Sequence, residues 1–169
     1  TPTICTPDDH DVFQGNLFGF PKSVAGEVVF NTAMTGYPES ITDPSYKGQI
    51  LVLTYPLIGN YGVPDQIMEN NLSRFYESEK IQVSGLIISD YSAEHHHWNA
   101  RKSLSEWMVE HQVPGIYGID TRALTKILRE KGSMLGKVIS ENKDVDFYDP
   151  NVDNLVSQVS TKETIVYGN

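Results

Sequence analysis

Four groups of residues in this chain have types and spacing that could do chemistry. Glu94-His95-His96-His97 offers metal-ligating side chains in a row. Neighbours on a loop do not readily converge on one ion, and zinc sites draw ligands from separated positions. His10 and His111 suggest no completing pattern, and no HExxH occurs, so no metal site is expected. Gly132-Ser133-Met134-Leu135-Gly136-Lys137 is glycine-rich. It follows a helical pattern instead of opening one, so it cannot aim helix N–H groups at a phosphate. Neither GxGxxG nor a GxxxxGK loop is present, and no cofactor is expected in this chain. Cys5 is the lone thiol, in a polar terminal segment before Thr6-Pro7 with no helix N-terminus or base beside it, and GxSxG is absent.

Asp43-Pro44-Ser45-Tyr46 remains. The Ser45 hydroxyl can donate and accept a hydrogen bond from a polar loop just before a buried strand. Loops held by rigid strands are where ligands are met. The residues alone leave two readings: a ligand contact, or an Asp-initiated turn in which the serine ties its own backbone, the commoner outcome.

The elements that must position such a loop follow from patterning. Val28-Val29-Phe30 reads as a short strand. Residues 31–46 carry Gly36, Pro38, Asp43 and Pro44 and read as a long ordered loop. Ile50-Leu51-Val52-Leu53 has no polar alternation, as in a strand buried on both faces, and Pro56 stops it. Gly59-Asn60-Tyr61-Gly62 reads as a loop. A short helix is expected over residues 68–76 and a buried strand over 83–89. Ser103-Leu104-Ser105-Glu106 is a capping box that opens a helix with Leu104, Trp107, Met108 and His111 on one face. Residues 115–119 form a strand. Asp120 caps a helix over 121–131 whose stripe is Ala123, Leu124, Ile127 and Leu128, closed by Gly132. The second half thus alternates helix and strand, while the first half looks more purely β.

The 169 residues amount to one domain, long enough to bury roughly 70% of the unfolded surface. With 13 Lys and Arg against 22 Asp and Glu, the net charge is −9. That balance argues against nucleic acid and against an anionic membrane. No apolar run nears the ~20 residues of a membrane span, and the start has no secretory signal. The chain begins without Met, so trimming of an earlier segment is expected. One cysteine permits no internal disulfide, which fits a reducing compartment.

Several long blocks now run together: Gly26-Glu27-Val28-Val29-Phe30-Asn31-Thr32, Met34-Thr35-Gly36-Tyr37-Pro38-Glu39, Thr42-Asp43-Pro44-Ser45-Tyr46 and Tyr55-Pro56-Leu57-Ile58-Gly59-Asn60-Tyr61-Gly62. Gly115-Ile116-Tyr117-Gly118-Ile119-Asp120-Thr121-Arg122 and Leu128-Arg129-Glu130-Lys131-Gly132 follow in order. Over about residues 12–160 the chain resembles the N-terminal domain of the small, glutamine-hydrolysing subunit of carbamoyl phosphate synthetase. Arg74-Phe75-Tyr76-Glu77-Ser78 and Asp149-Pro150-Asn151 resemble the eukaryotic, often fused, forms. Asp8-Asp9-His10-Asp11 and Ala33 depart from the family pattern.

The resemblance implies an α/β fold, a layered β/β/α swivelling domain with mixed sheets, over residues 1–139. It implies that residues 140–169 are a linker or docking arm toward a glutaminase domain absent from this chain. The parent would make carbamoyl phosphate from glutamine, bicarbonate and ATP, as a ligase of pyrimidine, arginine or urea synthesis. This chain alone would be inactive. Ser45 would touch glutamine in the neighbouring class I glutaminase domain, and the synthetase domains would be the other partner. The expected compartment is the cytoplasm, with the mitochondrion as the alternative. Two other functions stay open: a stand-alone interaction module with the same fold, and a domain of an ammonia-dependent relative whose glutaminase is dead.

Overall fold

The computed structural model describes residues 1–7, 12–60, 62–65, 67–69, 72–93 and 100–164. Glu94-His95-His96-His97 and His10 lie outside the described residues.

β1 (Thr3–Cys5), β2 (Val12–Gln14) and β3 (Asn16–Leu17) open the chain, followed by β4 (Val24–Asn31), α1 (Tyr37–Thr42) and β5 (Gln49–Leu53). Four short pieces come next: β6 (Leu57–Ile58), β7 (Val63–Pro64), β8 (Met68–Glu69) and β9 (Leu72–Ser73). Then come β10 (Gly85–Ile87), β11 (Asp90–Tyr91), β12 (Ala100–Lys102), α2 (Leu104–Glu110), β13 (Gly115–Tyr117), α3 (Thr121–Lys131), β14 (Met134–Ile139) and α4 (Leu155–Val159).

One eight-stranded sheet, ordered β2-β1-β14-β4-β5-β10-β13-β3, carries the domain. β4, β5, β10 and β13 are mutually parallel. β14, β1 and β2 extend one side antiparallel, and β3 closes the other side antiparallel. The fold is therefore α/β with a mixed sheet, as expected. β5 lies in the middle, and Ile50, Leu51 and Val52 are fully buried, which accounts for its unbroken apolar run.

Successive side chains alternate faces and so feed two cores. Leu51, Leu53, Leu86 and Ile88 pack with Tyr37 and Ile41 of α1 and Leu104, Trp107 and Met108 of α2. Ile50, Val52, Ile87 and Ile116 pack with Leu124 and Leu128 of α3. The topology explains this division. The steps β4 to β5, β5 to β10 and β10 to β13 all move the same way along the sheet. Parallel crossovers share one hand, so these three connections belong on one face. The return from β13 to β14 passes back over β10, β5 and β4, and α3 covers the second face on the way.

Two expectations fail. Residues 31–46 are not one long loop, because Tyr37–Thr42 is helical. Gly36 and Pro38 are helix-entry residues here: Gly36 takes φ 80° before the first turn, and Pro38 sits within it. Tyr37 and Ile41, four apart, are buried in the core and hold the turn. Residues 68–76 are not helical either; β8 and β9 pair antiparallel, Met68 with Ser73. Ile67 and Met68 are exposed, so no apolar stripe favours a helix there.

The local signals around the two longer helices hold. Ser103 and Glu106 complete the capping box of α2. Asp120 accepts from the Ala123 N–H at 2.9 Å, and Gly132 takes φ 83° after α3. The three residues of β1 carry little pattern of their own, and their pairing with β14 supplies the reason to be extended.

Candidate functional site

Ser45 sits on a single 3-10 turn, Pro44–Tyr46, immediately before the central strand. Asp43 caps that turn, its Oδ1 accepting from the Ser45 N–H at 2.8 Å. Upstream, Thr42 is fully buried. Its hydroxyl donates to the Pro38 carbonyl at 2.7 Å and accepts from the Glu77 N–H at 3.0 Å. Downstream, the Asn31 amide donates to the Tyr46 hydroxyl at 3.2 Å. The turn is thus fixed at both ends.

The Ser45 side chain itself is exposed, and its hydroxyl has no hydrogen-bond partner among the described residues. The Asp-initiated turn exists, but it is the aspartate that ties the backbone. The serine is left over, presented outward. Among the described residues no base is hydrogen-bonded to it. Beside it, at the edge where the parallel strands begin, a groove of about 500 Å³ is lined by Lys22, Lys47, Gln82 and His111. Burial pushes the His111 imidazole below its ordinary pKa, with Glu110 opposing.

The segment after β14 packs on the same edge. Glu141 and Asn142 both adopt positive φ and turn the chain between Ser140 and Lys143. The Ser23 hydroxyl donates to the Lys143 carbonyl at 2.5 Å and accepts from the Ser140 N–H at 2.9 Å. Lys137 pairs with Asp144 at 2.7 Å and lies over the Phe147 ring at 4.8 Å. That pairing holds the Asp144 carboxyl below, and the Lys137 ammonium above, their usual values. Pro150 is buried and, with Leu155, rests on Gly48, three residues from Ser45.

Asn31 is polar without being a surface contact. Besides Tyr46 its amide donates to the Ser40 hydroxyl at 3.3 Å, and its Oδ1 accepts from the Ala33 N–H at 2.7 Å. It braces the helix and the turn from within. Cys5 lies half-buried in β1. Among the described residues no three His, Cys, Asp or Glu side chains group as metal ligands. No helix among them is long and apolar enough to cross a membrane.

The chain is a layered α/β domain that displays a rigid polar turn ahead of its central strand. Residues 6–138 match the family described as carbamoyl-phosphate synthase small chain, CPSase domain, and the chain belongs to that family. It is 56% identical over 163 residues to the mitochondrial carbamoyl-phosphate synthase [ammonia] of Homo sapiens, covering 95% of this chain and 11% of that protein. It is 49% identical over 180 residues to the multifunctional protein URA2 of Saccharomyces cerevisiae, covering 94% and 8%. It is 51% identical over 164 residues to the multifunctional protein CAD of Squalus acanthias, covering 95% and 7%. The chain therefore spans about a tenth of the length of these relatives.

Proposed function

We propose that this domain is the non-catalytic partner of a glutaminase within a glutamine-dependent carbamoyl phosphate synthetase. It completes the glutamine site through Ser45 and docks on the synthetase part. The parent makes carbamoyl phosphate from glutamine, bicarbonate and ATP, and this chain alone hydrolyses neither glutamine nor ATP. The observation that carries the reading is the Ser45 hydroxyl, exposed and without a hydrogen bond among the described residues, on a turn held at both ends. A zwitterionic amino acid needs several fixed polar contacts, and a preset hydroxyl supplies one at little ordering cost.

The surface beside Ser45 supports a neighbouring domain there. Val152 and Val156 stand 76% and 72% exposed on the segment that rests on Gly48, as apolar residues do where a partner covers them. A reducing compartment is supported by the single cysteine. The four relatives at 53–56% identity that are named mitochondrial favour the mitochondrion over the cytoplasm.

Ser45→Ala in the complete enzyme is the test. Losing one hydrogen bond to glutamine weakens its binding by roughly threefold to a hundredfold. The glutamine KM rises while kcat is spared, and synthesis from supplied ammonia is unchanged. An unchanged glutamine KM would reduce Ser45 to a turn residue. A second reading, an ammonia-dependent parent with a dead glutaminase, is favoured by the bracketed word in the names of those four relatives. It predicts that glutamine supports no synthesis in the unmodified enzyme.

A further inference from the structure

Ser45 precedes β5 and Thr54 follows it, so the two mark opposite ends of the central strand. At the Thr54 end, where the four parallel strands finish, a second cleft of about 450 Å³ opens between the strand tips and the start of α3. Thr32 follows β4, Thr54 follows β5, Ser89 follows β10 and Asp120 follows β13, and all four line it. Small-molecule sites have this size, and open α/β sheets gather ligands at this edge.

Its floor and wall are polar in one sense. α3 runs eleven residues and turns its N-terminal end into the cleft, where the helix dipole favours negative charge. Arg122, Lys126 and Arg129 line the same cleft, spaced to share one helix face. All three are exposed and form no ion pair among the described residues, in a chain of net charge −9. Arg129 lies over the Phe30 ring at 5.5 Å, which fixes its position. Asp120 is the one acid in the lining, and its carboxylate is turned back to cap Ala123.

Thr121 is the separate observation that points to a ligand. It is 4% exposed, yet its hydroxyl has no hydrogen-bond partner among the described residues. It is not one of the sealed, unsatisfied polar atoms of the interior, so the direction left open to it is the cleft it lines. Thr121 is buried as a residue, and its hydroxyl meets the cleft with its donor open.

We propose that this cleft binds a small multivalent oxyanion of the phosphate class, held by the Arg122 N–H, the Thr121 hydroxyl, and the Arg122 and Lys126 side chains. The site is independent of Ser45 and of the glutamine reading. Phosphoryl oxygens match this donor set: a forked guanidinium, an ammonium, a hydroxyl and the Arg122 N–H around one concave volume, the neighbouring Thr121 and Ala123 N–H groups being held by Ile119 and Asp120.

The test is titration of the 169-residue chain with inorganic phosphate, pyrophosphate and an Asp/Glu-rich peptide at constant ionic strength. Amide NMR shifts are read throughout. Pyrophosphate should give saturable shifts at Thr121, Arg122 and Ala123 and bind more tightly than phosphate. Arg122→Gln and Lys126→Gln should each weaken it by roughly tenfold or more, and Lys80→Gln, a cation elsewhere, should not. Thr121→Val should weaken it while α3 stays folded. Three results would overturn the proposal. One is no saturation by roughly 10 mM, about ten times the dissociation constant of a weak, millimolar contact. Another is equal weakening by Lys80→Gln, which would mean bulk charge alone. The third is tighter binding of the acidic peptide than of pyrophosphate, which would make this a protein-docking face.

Discussion

Pro150 is seated directly on Gly48: a Cβ built on that glycine would fall 2.6 Å from the Cβ of Pro150. The segment beyond the sheet is thereby joined to the backbone that leads from Ser45 into β5. Gly48 also holds φ 79°, a conformation that side chains resist. Gly48→Ala should destabilise the chain by roughly 1–3 kcal/mol from backbone strain, with the contact on Pro150 adding to it. Urea unfolding of Gly48→Ala with and without Pro150→Gly separates the parts, since the second change relieves only the contact. A Gly48→Ala cost that Pro150→Gly does not reduce would mean the segment does not rest there.

Ser45→Ala should leave stability within about 0.5 kcal/mol, because the hydroxyl lost is exposed and bonds to none of the described residues. Asp43→Ala removes the cap beneath it and should cost about 1 kcal/mol. In the complete enzyme both should raise the glutamine KM, Asp43→Ala by loosening the turn that aims the serine. Thermal melts beside glutamine kinetics would reveal the opposite outcome, a Ser45→Ala protein that melts early.

Ser103→Ala should destabilise by about 1 kcal/mol. It deletes an acceptor for the Glu106 N–H, at 3.1 Å, while the Glu106 carboxylate still accepts from the residue 103 N–H. α2 carries Leu104, Trp107 and Met108 into the core, so the loss should appear in global unfolding. Fraying of the helix alone, seen as faster amide exchange with an unchanged urea midpoint, would contradict this.

Tyr76 should titrate late. Burial, then Asp65 and Glu39, push its phenol up to about 12. Its hydroxyl donates to the Pro64 carbonyl, and its ring stacks on Trp107 with centroids 5.2 Å apart. An unfolded tyrosine ionises near pH 10. The folded state is then the more protonated one. Its contribution is whole below pH 10 and is lost as pH rises through about 12. Unfolding free energies over that window, compared with Tyr76→Phe, check this; the variant should show a shallower alkaline decline.

The sequence by itself determined whatever depends on a few neighbouring residues. Asp120, Gly132 and the Ser103–Glu106 box mark helix ends because caps satisfy N–H and C=O groups within one turn. Ile50-Leu51-Val52-Leu53 announced a strand covered on both faces, and the family blocks announced the domain. Tertiary structure alone decided the rest. Tyr37–Thr42 is a helix because Tyr37 and Ile41 find a core, and Thr3–Cys5 is a strand because β14 lies beside it. The same glycines and prolines permit a loop where no such surface exists. The second cleft was the least legible: Thr32, Thr54, Ser89 and Thr121 come from four segments, each unremarkable alone. Its one local sign was three cations at helical spacing, Arg122, Lys126 and Arg129. Only the parallel order of β4, β5, β10 and β13 brings the strand tips to that helix face, since pairing across long separations is set by burial of both sheet faces and not by local propensity.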